Sequence, residues 1–273
     1  SGASTRRPLE AGAQTDPGST PDHPQMGHRS TPDKALDKTT EETSAGEHGD
    51  FWRVFLDGKP VKTPRGTFLE LPTRPLAQAV AQEWGAQGEK LKPKEMPLTT
   101  IGCTAADLIR PEKASCVERI MPYLAMDTVC FEDEKEELAE LQGKEWAPLR
   151  AWFEGRYGVQ LAIGRGLEGP PHPEATLPTV SLALESCDEW ELTALEIATA
   201  SAKSLVVASA LMHREDVRAK DALRWSLLEE HFQIERWGLV EGEHDVSHSE
   251  SVMWYAACRR FGRLGRELAP DAE

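Results

Sequence analysis

The 273-residue sequence contains no asparagine, only five cysteines and few basic residues, and each shortage excludes a class of protein. Without asparagine the chain has no acceptor for N-linked glycosylation, which disfavours a secreted glycoprotein. The cysteines are odd in number and none are spaced as C-x-x-C, so neither a disulfide framework nor a zinc ribbon is indicated. We expect reduced, mostly buried thiols in an intracellular or organellar compartment.

Basic residues are outnumbered, with 31 Lys and Arg against 46 Asp and Glu, for a net charge of −15. Because nucleic acid binding needs clustered cations, we predict no nucleic acid partner. The sequence also lacks an uncharged apolar run of about 18 residues, the length that spans a bilayer. The nearest candidate, Leu192 to Met212, is interrupted by Glu196 and Lys203. We therefore predict no membrane insertion.

Large apolar side chains are rare in residues 1–50, which carry only Leu9, Met26 and Leu36. Such a segment cannot bury enough surface to offset its ordering entropy, so residues 1–50 are predicted to be a disordered acidic and polar segment. Arg6 and Arg7 precede a Ser/Thr-rich run, as in the tail of a processed transit peptide. Three acidic residues argue against that interpretation: Glu10, Asp16 and Asp22.

Aromatic and β-branched residues become frequent at Phe51, and they predict a strand over 51–56. Asp57-Gly58 is a hairpin signal, after which 61–63 would return antiparallel and 68–71 would form a further strand. Thr73 is a suitable cap for a helix whose apolar stripe includes Val80 and Trp84. These features predict a β-rich domain with covering helices over residues 51–111.

Helical periodicity dominates residues 112–273, which we predict to be a larger α-helical domain. Pro148 is expected to restart a helix, and alternation over 159–163 predicts a short strand. Asp188 begins a capping-box pattern, and one helix is predicted from Leu223 to Trp237. The fold class is α+β, with a small β-rich N-terminal domain and a larger α-helical C-terminal domain.

Two segments have residues typical of a cofactor site or a metal site, and neither has the surroundings that such a site needs. Gly164-x-Gly166-x-x-Gly169 follows a predicted strand, but prolines rather than a helix follow it, so we interpret it as a loop and predict no cofactor. Glu241 to His248 is rich in possible ligands, but its glycine and aspartate favour a connection between helices, and no metal is predicted. A hydrolase or a metal-dependent enzyme with a site near Glu241–His248 is the alternative function.

Glu229 and Glu230 lie on or beside the apolar stripe of the helix predicted to end at Trp237. A carboxylate at a buried edge is costly unless it finds a cation or an amide donor. One interpretation is an internal salt bridge to Arg224 or Arg236. The other is a charged anchor for a partner protein, and on that interpretation Glu229, Glu230 and Trp237 are the candidate partner-binding residues.

An ordered series of short motifs covers about residues 51–260 and consists of 56–64, 71–73, 79–84 with 87–88, 96–100, 127–131, 146–152, 233–238 and 244–245. Together these motifs resemble the family of mitochondrial ATP synthase assembly factors that chaperone the α subunit. The family's Arg-Phe-Tyr-Lys-like opening strand is missing before Phe51, which leaves the first strand of the family fold, and any contact made through it, an open question.

The resemblance implies a non-enzymatic chaperone of the mitochondrial matrix, or a bacterial relative of one, with a β-rich and an α-helical domain. Such a protein would bind the free α subunit, prevent its aggregation and shield the surface that later meets the β subunit. Glu229 matches an acidic residue of the family that is important for activity. We expect a monomer without cofactors. An interaction module with a different client is a further alternative.

Overall fold

The computed structural model describes residues 43–166, 169–238 and 244–266. These residues form a small sheet followed by a larger set of helices, which confirms the predicted α+β class. The segment from Thr39 onward falls in one compact unit. The division at residues 111 and 112 into two domains therefore stays a prediction.

The small sheet is antiparallel and contains β1 (Thr43–His48), β2 (Phe51–Leu56), β3 (Lys59–Pro60) and β4 (Glu70–Leu71). β2 is central: β1 pairs along its whole length, while β3 and β4 both pair with it from later in the chain. Asp57 and Gly58 connect β2 to β3 with φ angles of 51° and 72°. This confirms the predicted hairpin turn, which needs positive φ at both central residues.

Residues 1–50 were predicted to be disordered, but residues 43–48 form the strand β1, so the prediction was wrong for this part. His48 pairs with Phe51, so Gly49 and Asp50 form a two-residue turn, with Gly49 at a φ of 63°. Backbone pairing to β2 holds β1, since β1 itself is poor in residues that favour strands. A strand therefore precedes Phe51, although the family's Arg-Phe-Tyr-Lys-like motif is missing from the sequence there. Residues 1–42 lie outside the described residues.

The sheet is covered by α1 (Arg74–Gly85), which contacts both β1 and β2. Thr73 caps α1 as predicted, since its hydroxyl oxygen accepts a hydrogen bond from the backbone N–H of Leu76 at 3.3 Å. α2 (Pro97–Thr104) begins without a cap of its own. Glu83 of α1 supplies that cap, because its carboxylate accepts from the N–H groups of Leu98 and Thr99, each at 2.8 Å.

The rest of the described chain is mainly helical. Its helices are α3 (Lys113–Ala125), α4 (Glu136–Tyr157), α5 (Thr176–Ser186), α6 (Glu189–Ala202), α7 (Leu205–His213), α8 (Ala219–Ser226), α9 (Leu228–Trp237) and α10 (His244–Arg266). Two short strands, β5 (Phe131–Glu132) and β6 (Gly164–Arg165), pair in parallel. Asp188 caps α6 as predicted, accepting from the N–H of Glu191 at 2.7 Å.

α7 lies at the centre of the core, and every residue from Leu205 to Met212 is buried. α6 and α7 are separated at Lys203, whose φ of 52° turns the chain between them. α10 contacts α6, α7 and α8, and also α1 and α2. The apolar core is therefore continuous between the sheet region and the helices.

Three local predictions were wrong. α4 continues through Pro148 without a restart, so tertiary packing overrides the loss of one backbone hydrogen bond. Residues 159–163 form no strand, and the paired residues are instead Gly164 and Arg165. The single helix predicted from Leu223 to Trp237 is two helices, because Leu227 leaves the helical region with a φ of −111° and a ψ of 20°.

All five cysteines lie within the described residues and are free, as predicted. Burial raises the pKa of Cys103 and of Cys258 to about 12, so both thiols are protonated at neutral pH. None of the helices in the described ranges has the length and apolar composition needed to cross a bilayer.

Candidate functional site

A cleft of about 600 Å³ lies beside the first turn of α9. Its lining residues are Met126, Thr128, Phe131, Glu132, Asp133, Glu134, Lys135, Gly166 and Glu229. Four of these side chains are acidic and one is basic. The cleft brings together a segment that follows α3, the loop before α4, one end of β6 and the start of α9.

The wall formed by residues 126–131 is fixed by the buried carboxylate of Asp127. This carboxylate accepts from the N–H of Val129 at 3.2 Å and from the N–H of Val206, at the start of α7, at 3.1 Å. The hydroxyl of Thr128 donates to the carbonyl of Lys203 at 3.0 Å. Because α7 is the centre of the core, this wall of the cleft is held by the most buried part of the molecule.

The lower wall is the β5–β6 pair, in which Phe131 is paired with Gly164. Arg165 forms an ion pair with Glu132 at 3.0 Å. The side chain of Arg165 is 74% exposed, so this pair is solvated and contributes little to stability. Glu132 is thus compensated by a cation, and Asp133 accepts a hydrogen bond from the backbone N–H of Lys135 at 2.8 Å.

Glu229 is the half-buried carboxylate of the cleft. Its Oε1 atom accepts a hydrogen bond from the side-chain amide of Gln142, on α4, at 2.7 Å. Burial raises the pKa of Glu229 above its ordinary value, and the negative charge of Asp133 raises it further, while the Gln142 hydrogen bond lowers it. Among the described residues Glu229 has an amide partner and no ion pair.

Trp237 is 64% exposed and is connected to the cleft through Lys135. The ammonium of Lys135, a cleft residue, lies 4.9 Å from its ring centroid. The neighbouring Arg236 pairs with Glu137 of α4. Met126, 53% exposed, adds a second apolar side chain to the same surface.

Glu230 is directed away from the cleft, toward α10. Its Oε1 atom lies 3.7 Å from Nε2 of His248, an ion pair when that histidine is protonated. The internal salt bridge that the sequence offered as an interpretation does not involve the expected arginines. Arg224 pairs with Glu145 at 3.2 Å, and Arg236 pairs with Glu137.

The structure thus places Glu229 in the cleft, Trp237 against the cleft residue Lys135, and Glu230 against His248 of α10. The role of all three in binding a partner stays a prediction. Gln142 was missed by the sequence reasoning, although a signal for it exists. It is a polar residue at a spacing of four from Leu138 and Trp146, on the buried face of α4. A buried amide at such a position needs partners.

Of the ligand-rich segment proposed as an enzyme site, residues 241–243 lie outside the described residues. His244 and Asp245 begin α10, and His248 contacts Glu230. Within the described ranges no three His, Cys, Asp or Glu side chains are arranged to hold a metal ion. The Gly164–Gly169 segment is followed by non-helical residues, so it lacks the helix N-terminus of a dinucleotide site.

A family model described as ATP12 chaperone protein matches residues 37–154. The mitochondrial protein atp12 of Schizosaccharomyces pombe is 26% identical over 210 residues, which cover 72% of each chain. The mitochondrial protein ATP12 of Saccharomyces cerevisiae is 23% identical over 234 residues, which cover 70% of this chain and 72% of that one. These matches confirm the resemblance seen in the sequence motifs.

Solved structures of similar proteins also match this chain. Atp12 from Paracoccus denitrificans is 29% identical with a TM-score of 0.77, and the match covers 82% of this chain and 96% of that one. A protein from Agrobacterium tumefaciens is 24% identical with a TM-score of 0.74, covering 81% and 84% of the two chains. The second match supports the fold alone.

Proposed function

We propose that this chain, a relative of the ATP12 chaperone proteins, is a non-enzymatic assembly chaperone of the ATP synthase. It binds the free α subunit and prevents its aggregation until that subunit pairs with the β subunit. The proposal places the chain in the mitochondrial matrix, since the yeast relatives are named mitochondrial proteins. It acts as a monomer and needs no cofactor.

The observation that carries this proposal is the mixed apolar and acidic surface around the cleft. Met126 and Trp237 are both more than half exposed, which is costly for side chains of this size unless a partner covers them. Four acidic side chains line the cleft together with Met126: Glu132, Asp133, Glu134 and Glu229. A surface of this kind can hold an unassembled subunit through apolar contacts while its charges set the register.

The charge of the cleft indicates which part of the client it would contact. Lys135 is the one basic side chain among the lining residues, and its ammonium lies over Trp237. A client segment that carries a cationic side chain next to an apolar one would complement this surface. Glu229 is then a contact residue, and Trp237 covers the apolar neighbour. The role of Glu230 is indirect, because it faces α10.

Size-exclusion chromatography with purified subunits tests the proposal. The full chain is mixed with free α subunit and, separately, with free β subunit. We expect a one-to-one complex with the α subunit and none with the β subunit, and we expect added β subunit to release the chain from the complex. Co-elution with neither subunit, from a chain shown to be folded, would contradict the proposal.

The enzyme alternative is tested on the same preparation. We expect no nucleotide hydrolysis during binding or release, and no stoichiometric metal in the purified chain by elemental analysis. Bound zinc or iron at one atom per chain would instead support a metal-dependent site involving residues 241–248. Complex formation with an unrelated client and not with the α subunit would support the interaction-module alternative.

A further inference from the structure

Gln142 is a buried side-chain amide whose donor and acceptor atoms both have partners. It is 2% exposed and lies on α4. Its Nε2 donates to Oε1 of Glu229 at 2.7 Å, and its Oε1 accepts from the backbone N–H of Asp133 at 2.8 Å. An amide taken out of water is costly unless it is hydrogen-bonded, so both bonds matter for this position.

The two partners of Gln142 belong to different walls of the cleft. Asp133 lies in the loop between β5 and α4, while Glu229 lies in the first turn of α9. Both line the cleft. Gln142 does not line it, and instead lies behind the two residues that do. One side chain from the rigid core therefore sets the spacing between the acidic loop and the Glu229 carboxylate.

We propose that Gln142 is the positioning residue of the client-binding cleft, holding the Glu229 carboxylate ionised and at a fixed distance from the Asp133 loop. The inference rests on the proposed function, because the cleft is the surface assigned to the client. Gln142 acts through Glu229 and does not contact the client itself.

The charged surroundings of Glu229 make this role necessary. The titratable and charged groups that line the cleft with it come from the end of β5 and the loop before α4, while Glu230 and His231 follow it on α9 itself. Those from β5 and the loop are Glu132, Asp133, Glu134 and Lys135. Lys135 lies over Trp237 and Glu132 pairs with Arg165. The Gln142 amide is thus the neutral donor that favours the ionised form of a half-buried carboxylate among other acids.

The test replaces Gln142 by leucine, which keeps the volume and removes both hydrogen bonds. We expect the affinity for free α subunit to fall about tenfold, since a hydrogen bond to a charged group is lost. We also expect the pH midpoint of binding to rise by about one unit, because Glu229 becomes harder to ionise. Gln233→Leu is the matched control, since Gln233 is exposed on α9, and it should change neither quantity.

A swap separates positioning from folding. Gln142→Glu alone places two carboxylates in contact and should lower both stability and binding. Adding Glu229→Gln restores an amide-to-carboxylate hydrogen bond with donor and acceptor exchanged, so the double variant should regain stability. It should not regain affinity for the α subunit, because the carboxylate is no longer in the cleft. Recovery of both stability and affinity in the double variant would overturn the proposal.

Carbonyl ¹³C NMR titration of Glu229 in the free protein gives a readout that needs no client. We expect the midpoint of Glu229 to rise in Gln142→Leu and to stay unchanged in Gln233→Leu. An unchanged midpoint together with unchanged binding would overturn the role of Gln142. If wild type does not bind the α subunit but the midpoint still rises, the proposed function fails while the action of Gln142 on Glu229 stands. If Gln142→Leu does not fold, Gln142→Met takes its place in both measurements.

Discussion

The buried carboxylate of Asp127 accepts a hydrogen bond from the backbone N–H of Val206 at 3.1 Å. Asp127 lies in the cleft wall formed by residues 126–131, and Val206 lies in the first turn of the central helix α7, so this bond joins the candidate site to the core. Ser204 caps the same helix end, accepting from the N–H of Val207 at 3.0 Å. The carboxylate therefore lies at a helix N-terminus, where the helix dipole favours a negative charge.

The first prediction concerns the pH dependence of stability that Asp127 causes. Burial raises its pKa to about 6, although hydrogen bonds from Ser204, Val206 and Val129 oppose the increase. Because the folded state holds this proton more tightly than the unfolded state, the contribution of Asp127 to stability is full below about pH 4 and is lost as pH rises through about 6. The loss is on the order of 3 kcal/mol.

Urea unfolding of wild type and Asp127→Asn at pH 4 and pH 7 measures this effect. The stability of wild type relative to the variant should be lower at pH 7 than at pH 4, since asparagine does not titrate. A relative stability that increases with pH would show that the hydrogen bonds outweigh burial and that the pKa of Asp127 is lowered. A ¹³C titration of the Asp127 carboxyl would then have its midpoint below 4.

The second prediction concerns His213, whose contribution to stability changes with pH in the opposite direction. Burial lowers its pKa to about 3, and the charges of Arg156 and Arg266 lower it further. Glu191 lies 3.5 Å from Nε2 of His213, but this carboxylate is already paired with Arg266 at 2.9 Å. Protonation is therefore disfavoured in the folded state, so the stability contributed by neutral His213 is present above about pH 6.5 and falls at lower pH.

Comparison with His213→Gln isolates this contribution. Between pH 6.5 and pH 5 wild type should lose about 2 kcal/mol relative to the variant, since one proton is bound only by the unfolded state. Chemical denaturation at four pH values in this interval would measure the slope. Parallel stability curves for the two proteins would show that His213 titrates normally in the folded state.

The third prediction concerns Glu229. Glu229→Ala and Glu229→Lys should leave the chain folded but cost about 1–3 kcal/mol of stability, because the buried amide of Gln142 loses its acceptor. Both should weaken protection of the α subunit. The lysine variant should weaken it more, since it places a like charge against a cationic client. Glu235→Gln is the control, because Glu235 is exposed on the same helix. Loss of folding in Glu229→Ala would show that Glu229 is a structural residue.

The fourth prediction contrasts a buried tryptophan, Trp146, with an exposed one, Trp237. Trp146 is fully buried and its indole N–H donates to the carbonyl of Trp225 at 3.1 Å. Trp146→Ala should destabilise the fold by about 3–5 kcal/mol through the cavity it leaves. Trp237→Ala should change the free energy of unfolding by less than about 1 kcal/mol, since the ring is mostly exposed, but it should weaken client binding.

Thermal unfolding and α-subunit binding, measured on both variants, test this contrast. The two effects should separate, with Trp146→Ala losing stability and Trp237→Ala losing affinity. Trp237→Phe keeps an aromatic face for Lys135 and should retain more affinity than Trp237→Ala. Full affinity in Trp237→Ala would remove this residue from the client surface.

Sequence reasoning predicted the elements whose signals are local. The turn at Asp57 and Gly58, the cap at Thr73 and the cap at Asp188 each depend on a few neighbouring residues, and the structure confirms all three. Local capping and turn preferences were sufficient for these features. The exposed position of Trp237 was not predicted, because the helical period placed its ring on the apolar stripe.

The features that were missed depend on contacts between distant residues. β1 has few strand-forming side chains, and it is ordered because its backbone pairs with β2. The break at Leu227 interrupts a helical pattern that is continuous in sequence. The cleft itself joins α9 to a loop almost one hundred residues earlier in the chain, and Gln142 makes that connection through two hydrogen bonds. Neither the β1–β2 pairing nor the link through Gln142 produces a periodic pattern in the neighbouring sequence.

The central claim is that the chain protects the free α subunit, and light scattering of that subunit tests it most directly. Purified α subunit is brought to conditions in which it aggregates, alone and with an equal molar amount of the full chain. We predict that the chain suppresses the scattering without consuming ATP, and that Glu229→Lys does so much less well while Glu235→Gln matches wild type. Undiminished scattering in the presence of the folded wild-type chain would contradict the claim.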